Sequence, residues 1–406
     1  MFTLAHFCRT GARLSACAVV CALALPMTTG AAFADSVTVS SDRIHTEVTP
    51  SLVVDDMNII RYDSTAQAAS VDASRRSWAT TAHTVYLVNP GNTAVFAALT
   101  SVGATTLGGP VLYTSENGTL PENTILEIAR LHPQRIVAIG DVTKVSDSAV
   151  TAARDAAVAS TKTKKGVKAV DVTTQRIDST DPLVVSRTVV SGLTDAEHPV
   201  RTVYAVAVRW EKPGEKSASG AASSGAHTQV ATSSQVRTPT VQTLMASAIA
   251  GSIDDGVVLL VDEGSSAEAK TVIDAIAPEF VTLVGDMPKT TADALSAGRK
   301  KSVLKGQKPE TMALDAASLR ALVANSSPVV VPVDDPVSIL IGATTANGPL
   351  VGVEPTMTVR RVNDLVRTVA ELSGVTTRRY VAIGAASSGV TLFDPHRTGV
   401  TGAVGK

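Results

Sequence analysis

One unit, met three times along the 406 residues, restricts this chain more than any other feature. It is clearest at residues 109–147, which read as strand, loop, helix, strand and turn. Val111, Leu112 and Tyr113 form a short apolar run entered through Gly109 and Pro110, as strands buried on both faces do. Pro121 stands where a first helical turn tolerates proline, and Ile125, Ile128, Ala129 and Leu131 follow at helical spacing. Pro133 cannot continue a helix, so the chain re-enters a sheet through Ile136, Val137, Ala138 and Ile139 and leaves it at Gly140-Asp141. A strand–helix–strand unit of this length implies a right-handed crossover and a parallel sheet.

The second copy runs from Gly256 through an apolar strand and a helix to the strand 280–284, ending at Gly285-Asp286. The third runs from Gly348-Pro349 through a helix over 359–372 to the strand 379–383, ending at Gly384. Pro110 to Gly140 is 30 positions, Gly256 to Gly285 is 29 and Pro349 to Gly384 is 35. Around these units the chain divides into three modules, 57–160, 168–299 and 311–395. The fold class is α/β with Rossmann-like parallel-sheet modules. Module one opens Arg61-Tyr62-Asp63-Ser64-Thr65 and module two Arg176-Ile177-Asp178-Ser179-Thr180, with Thr84-Val85-Tyr86 echoed by Thr202-Val203-Tyr204. Module three opens at Leu314-Asp315, without the arginine.

Several local expectations follow. A helix is expected from Phe96 to Thr105, and 162–168 and 300–308 read as short basic linkers. The Ser/Ala/Gly-rich tract 212–237 has no periodicity and reads as a disordered insert after a strand. Residues 35–56 read as an extended leader and 396–406 as a flexible tail.

The first 34 residues have the order of a cleaved secretory signal: a basic start at Arg9 and Arg13, an apolar run, then Ala32-Phe33-Ala34 before Asp35. Cleavage is expected between Ala34 and Asp35. All three cysteines lie within this segment, so the mature chain has no disulfide, thiolate metal site or thiol nucleophile. The net charge of −1 becomes about −3 once Arg9 and Arg13 are removed, which excludes a nucleic-acid footprint. No later stretch reaches the ~20 apolar residues of a membrane span.

Catalytic and metal sites are not expected. No histidine pair sits at i, i+4 around an acid, no G-x-S-x-G elbow occurs, and no G-x-G-x-x-G follows a strand. No cofactor is implied. Asp141 and Asp286 lie at carboxyl ends of strands, where open sheets place ligands, but capping of the following helix is the commoner role. Arg61 and Arg176 present forks that suit phosphate or carboxylate. Pairing with a carboxylate such as Asp63 or Asp178 is the role expected of them.

The chain resembles the cell wall binding repeat 2 family of Gram-positive surface proteins. The resemblance rests on Gly109-Pro110-Val111-Leu112, on Gly140-Asp141-Val142-Thr143-Lys144-Val145-Ser146-Asp147, and on Arg61-Tyr62-Asp63-Ser64-Thr65-Ala66. Ala97-Ala98-Leu99-Thr100 stands where the family carries an acidic residue. The resemblance implies three modules in a pseudo-threefold assembly that binds an anionic wall polymer without a covalent bond. The polymer contacts it implies are Arg61, Tyr62, Arg176 and Ser146. The expected protein is thus a secreted, non-enzymatic protein of the cell wall or cell surface. The alternatives are an extracellular small-ligand-binding protein and a wall-modifying enzyme with a site between modules.

Overall fold

The computed structural model describes residues 45–48, 58–63, 65–161, 171–211, 237–305, 308–319, 327–345, 348–374 and 379–383. The expected signal and tail lie outside these residues, as does the expected insert except for Arg237.

The chain starts with β1 (His45–Val48), β2 (Asn58–Asp63) and α1 (Ala66–Ser77). Repeat one continues with β3 (Thr84–Val88), a 3₁₀ turn (Thr93–Leu99), β4 (Val111–Tyr113), α2 (Glu122–Leu131), β5 (Arg135–Ile139) and α3 (Asp147–Thr161). Next come β6 (Thr173–Ile177), α4 (Pro182–Ser191), β7 (Thr202–Ala207), α5 (Val241–Gly251) and β8 (Val257–Val261). A short 3₁₀ turn (Glu263–Ser265) leads to α6 (Ser266–Ile276), β9 (Phe280–Val284), α7 (Lys289–Ser296) and β10 (Lys300–Leu304). The last part holds α8 (Pro309–Leu319), β11 (Val329–Pro332), α9 (Pro336–Thr344), β12 (Leu350–Val353), α10 (Val359–Leu372) and β13 (Arg379–Ile383).

These strands make three sheets, in the orders β4-β3-β5-β6, β8-β7-β9-β10 and β12-β11-β13-β2-β1. Every pairing is parallel except β1 with β2. The α/β class expected from the sequence is the class observed. The sheets do not follow the sequence repeats, however. β6, which carries the opening Arg176-Ile177, closes the first sheet, and β10 closes the second. β2, with Arg61-Tyr62, pairs along β13 in the third, with β1 beyond it at the edge, so the beginning of the body is hydrogen-bonded to its end. One reading changes accordingly: residues 300–304, expected in a linker, form a strand. Leu314-Asp315, where module three opens, lies within α8.

The sheets share one core. The first 3₁₀ turn, α5 and α9 occupy corresponding places after the central strands and pack on one another. Their backbones approach closely: a Cβ built at Gly251 would lie 2.8 Å from the Thr100 carbonyl oxygen, and one at Gly103 2.9 Å from that of Thr344. The expected helix 96–105 is instead this tight turn, in which Ala94–Leu99 are all buried. The three connecting helices bridge neighbours in the same pattern. α1 lies on α9 and β4, α4 on the 3₁₀ turn and β8, and α8 on α5 and β12.

These bridges also cover sheet edges. An edge strand exposes unpaired N–H groups that must find acceptors when buried. On β8 the Val258 N–H donates to Ser101 Oγ at 2.9 Å and the Leu260 N–H to Ser186 Oγ at 3.0 Å. On β12 the Leu350 N–H donates to Ser252 Oγ at 3.2 Å, and on β4 the Tyr113 N–H to Ser70 Oγ at 3.4 Å. Small hydroxyl side chains from adjacent elements thus complete what the ladders leave open.

Candidate binding cleft

In the first two sheets the chain leaves the central strand toward one side and the third strand toward the other. Open parallel sheets place ligands at this point, beyond the carboxyl ends of the strands. The first two repeats differ there.

In repeat one the position is filled. Asn89 follows Val88, the residue opposite Ile139 on β5. Its buried amide nitrogen lies 3.3 Å from Thr114 Oγ1 and 3.0, 3.1 and 3.2 Å from the carbonyl oxygens of Ser115, Glu116 and Lys144. Its Oδ1 accepts the Gly91 N–H at 2.9 Å. One side chain ties together the loops after β3, β4 and β5.

Asp141 stands beside this knot. Its Oδ1 accepts from the Thr143 hydroxyl at 2.6 Å, the Thr143 N–H at 2.7 Å and the Lys144 N–H at 3.2 Å. The hydroxyl bond above all, helped by the two N–H groups and the Lys144 charge, holds its carboxyl below the usual carboxylate value. It therefore caps its own turn and not α3, contrary to expectation. α3 is capped by Ser146, whose Oγ accepts the Ala149 N–H at 3.1 Å. Arg176 donates to the Gly140 carbonyl at 3.0 Å and to Asp147 Oδ1 at 2.8 Å, so its carboxylate partner is Asp147, neither Asp63 nor Asp178. Arg61 and Tyr62 lie on β2 in the third sheet, away from the sheet of Arg176. The four residues are not brought together in one sheet.

In repeat two the position is open. Ala207 follows Val206, which is opposite Val284, and so stands where Asn89 does. With no amide to fill it, the crevice is a cleft of about 450 Å³. Ala207, Val208 and Val261 line its base, with Trp210, Arg237, Asp262, Glu263, Asp286 and Met287 around them. Its rim is fixed by backbone bonds from Glu211 N–H to the Thr238 carbonyl at 2.9 Å and from Thr240 N–H to the Arg209 carbonyl at 2.8 Å.

The charges in the cleft are paired in a defined way. Arg237 lies over the Trp210 ring, 4.0 Å from its centroid, with Nη1 3.5 Å from Asp262 Oδ2. Asp262 is locked by a capping box: its Oδ1 accepts the Ser265 N–H at 2.9 Å while its own N–H donates to Ser265 Oγ at 3.0 Å. Asp286 does not cap α7 as expected; it accepts from Arg209 Nη2 at 2.6 Å. Glu263 is exposed and has no ion pair among the described residues. The buried indole N–H of Trp210 finds no acceptor among the described residues. Among the described residues no cluster of three or more His, Cys, Asp or Glu could hold a metal ion.

None of the cleft residues except Asp286 was singled out from sequence. The available signal was Trp210, one of only two tryptophans, placed immediately before the low-complexity tract that Arg237 ends.

No protein-family model matches the chain, and no curated protein matches it. Among solved structures it is similar to Cwp6 from Clostridium difficile, with a TM-score of 0.51 at 16% identity over 85% of this chain. The chain spans about half, 49%, of that protein's length. The likeness is one of fold. Among the described residues no helix is long and apolar enough to cross a membrane.

Proposed function

We propose that this chain is an exported, non-enzymatic cell-surface protein held to the cell wall through an anionic wall polymer, without a covalent bond. The observation that carries the reading is the three α/β sheets that share one large core, with β2 at the start of the body paired to β13 at its end. This is the assembly that the resemblance to cell wall binding repeats implies, and Cwp6 shares the fold. Repeated junctions between sheets suit a polymer better than a single reaction centre does. The open cleft of repeat two favours a second reading, a binding protein for a small extracellular ligand.

The test is sedimentation of the mature protein with purified walls, with and without their anionic polymers. The reading expects co-sedimentation that is lost when those polymers are stripped and falls as salt rises, because screening weakens contacts with a polyanion. Protein that stays in the supernatant with intact walls at low salt would refute it.

A further inference from the structure

The cleft of repeat two is poorly made for a polyanion. Among the described residues the cations near it are engaged, Arg237 with Asp262 and Arg209 with Asp286, while Glu263 has no ion pair. What the cleft does contain is a guanidinium lying on an aromatic face beside a carboxylate. An aromatic ring attracts any cation placed over its face, and a neighbouring carboxylate adds to that attraction. Here the cation comes from the chain itself. Arg237 is only loosely engaged: its side chain is 59% exposed and its ion pair is 3.5 Å long. Asp262 is the opposite, 15% exposed and held by both partners of its capping box. The fixed half of the subsite is therefore Trp210 with Asp262, and the movable half is Arg237.

We propose that Trp210 and Asp262 form a subsite for an ammonium group carried on a sugar ring, and that Arg237 is a built-in occupant which such a ligand displaces. The volume, about 450 Å³, admits more than one sugar unit. The flat indole suits the C–H face of a hexose, and the indole N–H without an acceptor is a donor that a ligand hydroxyl takes once the ring is uncovered. Glu263, exposed and without an ion pair among the described residues, accepts further hydroxyl groups. Replacing the guanidinium by an ammonium leaves the charge of the cleft unchanged, so binding is an exchange. Repeat one has no such site because Asn89 fills the equivalent position.

The experiment follows tryptophan fluorescence while the mature protein is titrated with a fully de-N-acetylated glucosamine tetramer and, separately, with its N-acetylated form. The proposal expects a saturable change with the amine form alone, and calorimetric titration of Trp210→Ala, which removes the ring, should show that binding lost. Arg237→Ala should bind about two- to fivefold tighter, the fold-change an exposed cation–π contact is worth. Arg237→Lys, which keeps a cation on the ring, should bind like the parent. Thermal melts verify that the exposed Arg237 variants fold. Equal binding of the acetylated tetramer, an unchanged or weaker affinity in Arg237→Ala, or a response to a lysine peptide but not to the saccharide would each overturn it. Wall sedimentation measured on the same variants separates this outcome from the anchoring reading, since loss of one leaves the other standing.

Discussion

Ser101 is where the coupling between repeats is most directly measurable. Its hydroxyl, fully buried, accepts the buried Val258 N–H on the free edge of β8 at 2.9 Å, across 157 residues of chain. In Ser101→Ala that N–H has no acceptor and no route to water. An intact hydrogen bond is worth about 1 kcal/mol net, but an orphaned buried donor costs its desolvation, roughly 1–3 kcal/mol. Ser186, also fully buried, accepts from Leu260 two residues further along the same edge at 3.0 Å. Ser101→Ala/Ser186→Ala together should therefore lose about 2–6 kcal/mol, a large part of the 5–15 kcal/mol that a domain typically has. Ser191 is the control, because its exposed hydroxyl bonds only the Arg187 carbonyl within its own helix; its alanine variant should stay within about 0.5 kcal/mol. Equilibrium urea unfolding followed by circular dichroism and by fluorescence gives the energies, and amide exchange at Val258 gives the local effect. Coincident transitions in the two signals would also show that the repeats unfold together. If Ser101→Ala costs under 0.5 kcal/mol and Val258 exchanges no faster, the claim that neighbouring repeats seal each other's edges is wrong.

Two further perturbations address the outer layer and the repeated Gly-Pro. Burial pushes the Glu127 carboxyl up, but bonds from Arg130 at 2.7 and 2.9 Å and from Ser74 at 2.6 Å outweigh it and hold the group below its ordinary value. A depressed folded value means stability that is complete above the ordinary carboxylate range and lost as pH falls through the folded value. Glu127→Gln should then be less stable at pH 7, on the order of 2 kcal/mol, and should lose less on acidification below about pH 4; parallel acid limbs for the two proteins would count against this. At Gly109 a Cβ would sit 1.7 Å from the Thr84 carbonyl oxygen, so Gly109→Ala must displace the start of β3 and should cost about 3 kcal/mol. At Gly264 the nearest atom would be 3.6 Å away, and the same substitution should be near neutral in thermal melts.

What the sequence determined by itself was everything set by neighbours in the chain. Proline and glycine punctuation placed α10 at Val359–Leu372 with both ends right, and the apolar runs at 84–88 and 280–284 are strands. Even the repeated Gly-Pro has a local look, although its reason is the carbonyl that Gly109 and Gly348 each press against, at 1.7 Å from a built Cβ. Only the tertiary structure decided which strands share a sheet. Parallel pairing joins segments far apart in sequence, and nothing in Arg61-Tyr62 or in residues 300–304 says that a repeat's first strand completes the sheet of the repeat before it. Charge misled at 300–304, since Lys300 and Lys301 read as a solvated linker while Leu304 is buried at the edge of a sheet. The candidate site was hidden for the same reason. Asn89 and Ala207 are unremarkable letters until the register sets them in the same place, and only then does one explain a filled crevice and the other an open one.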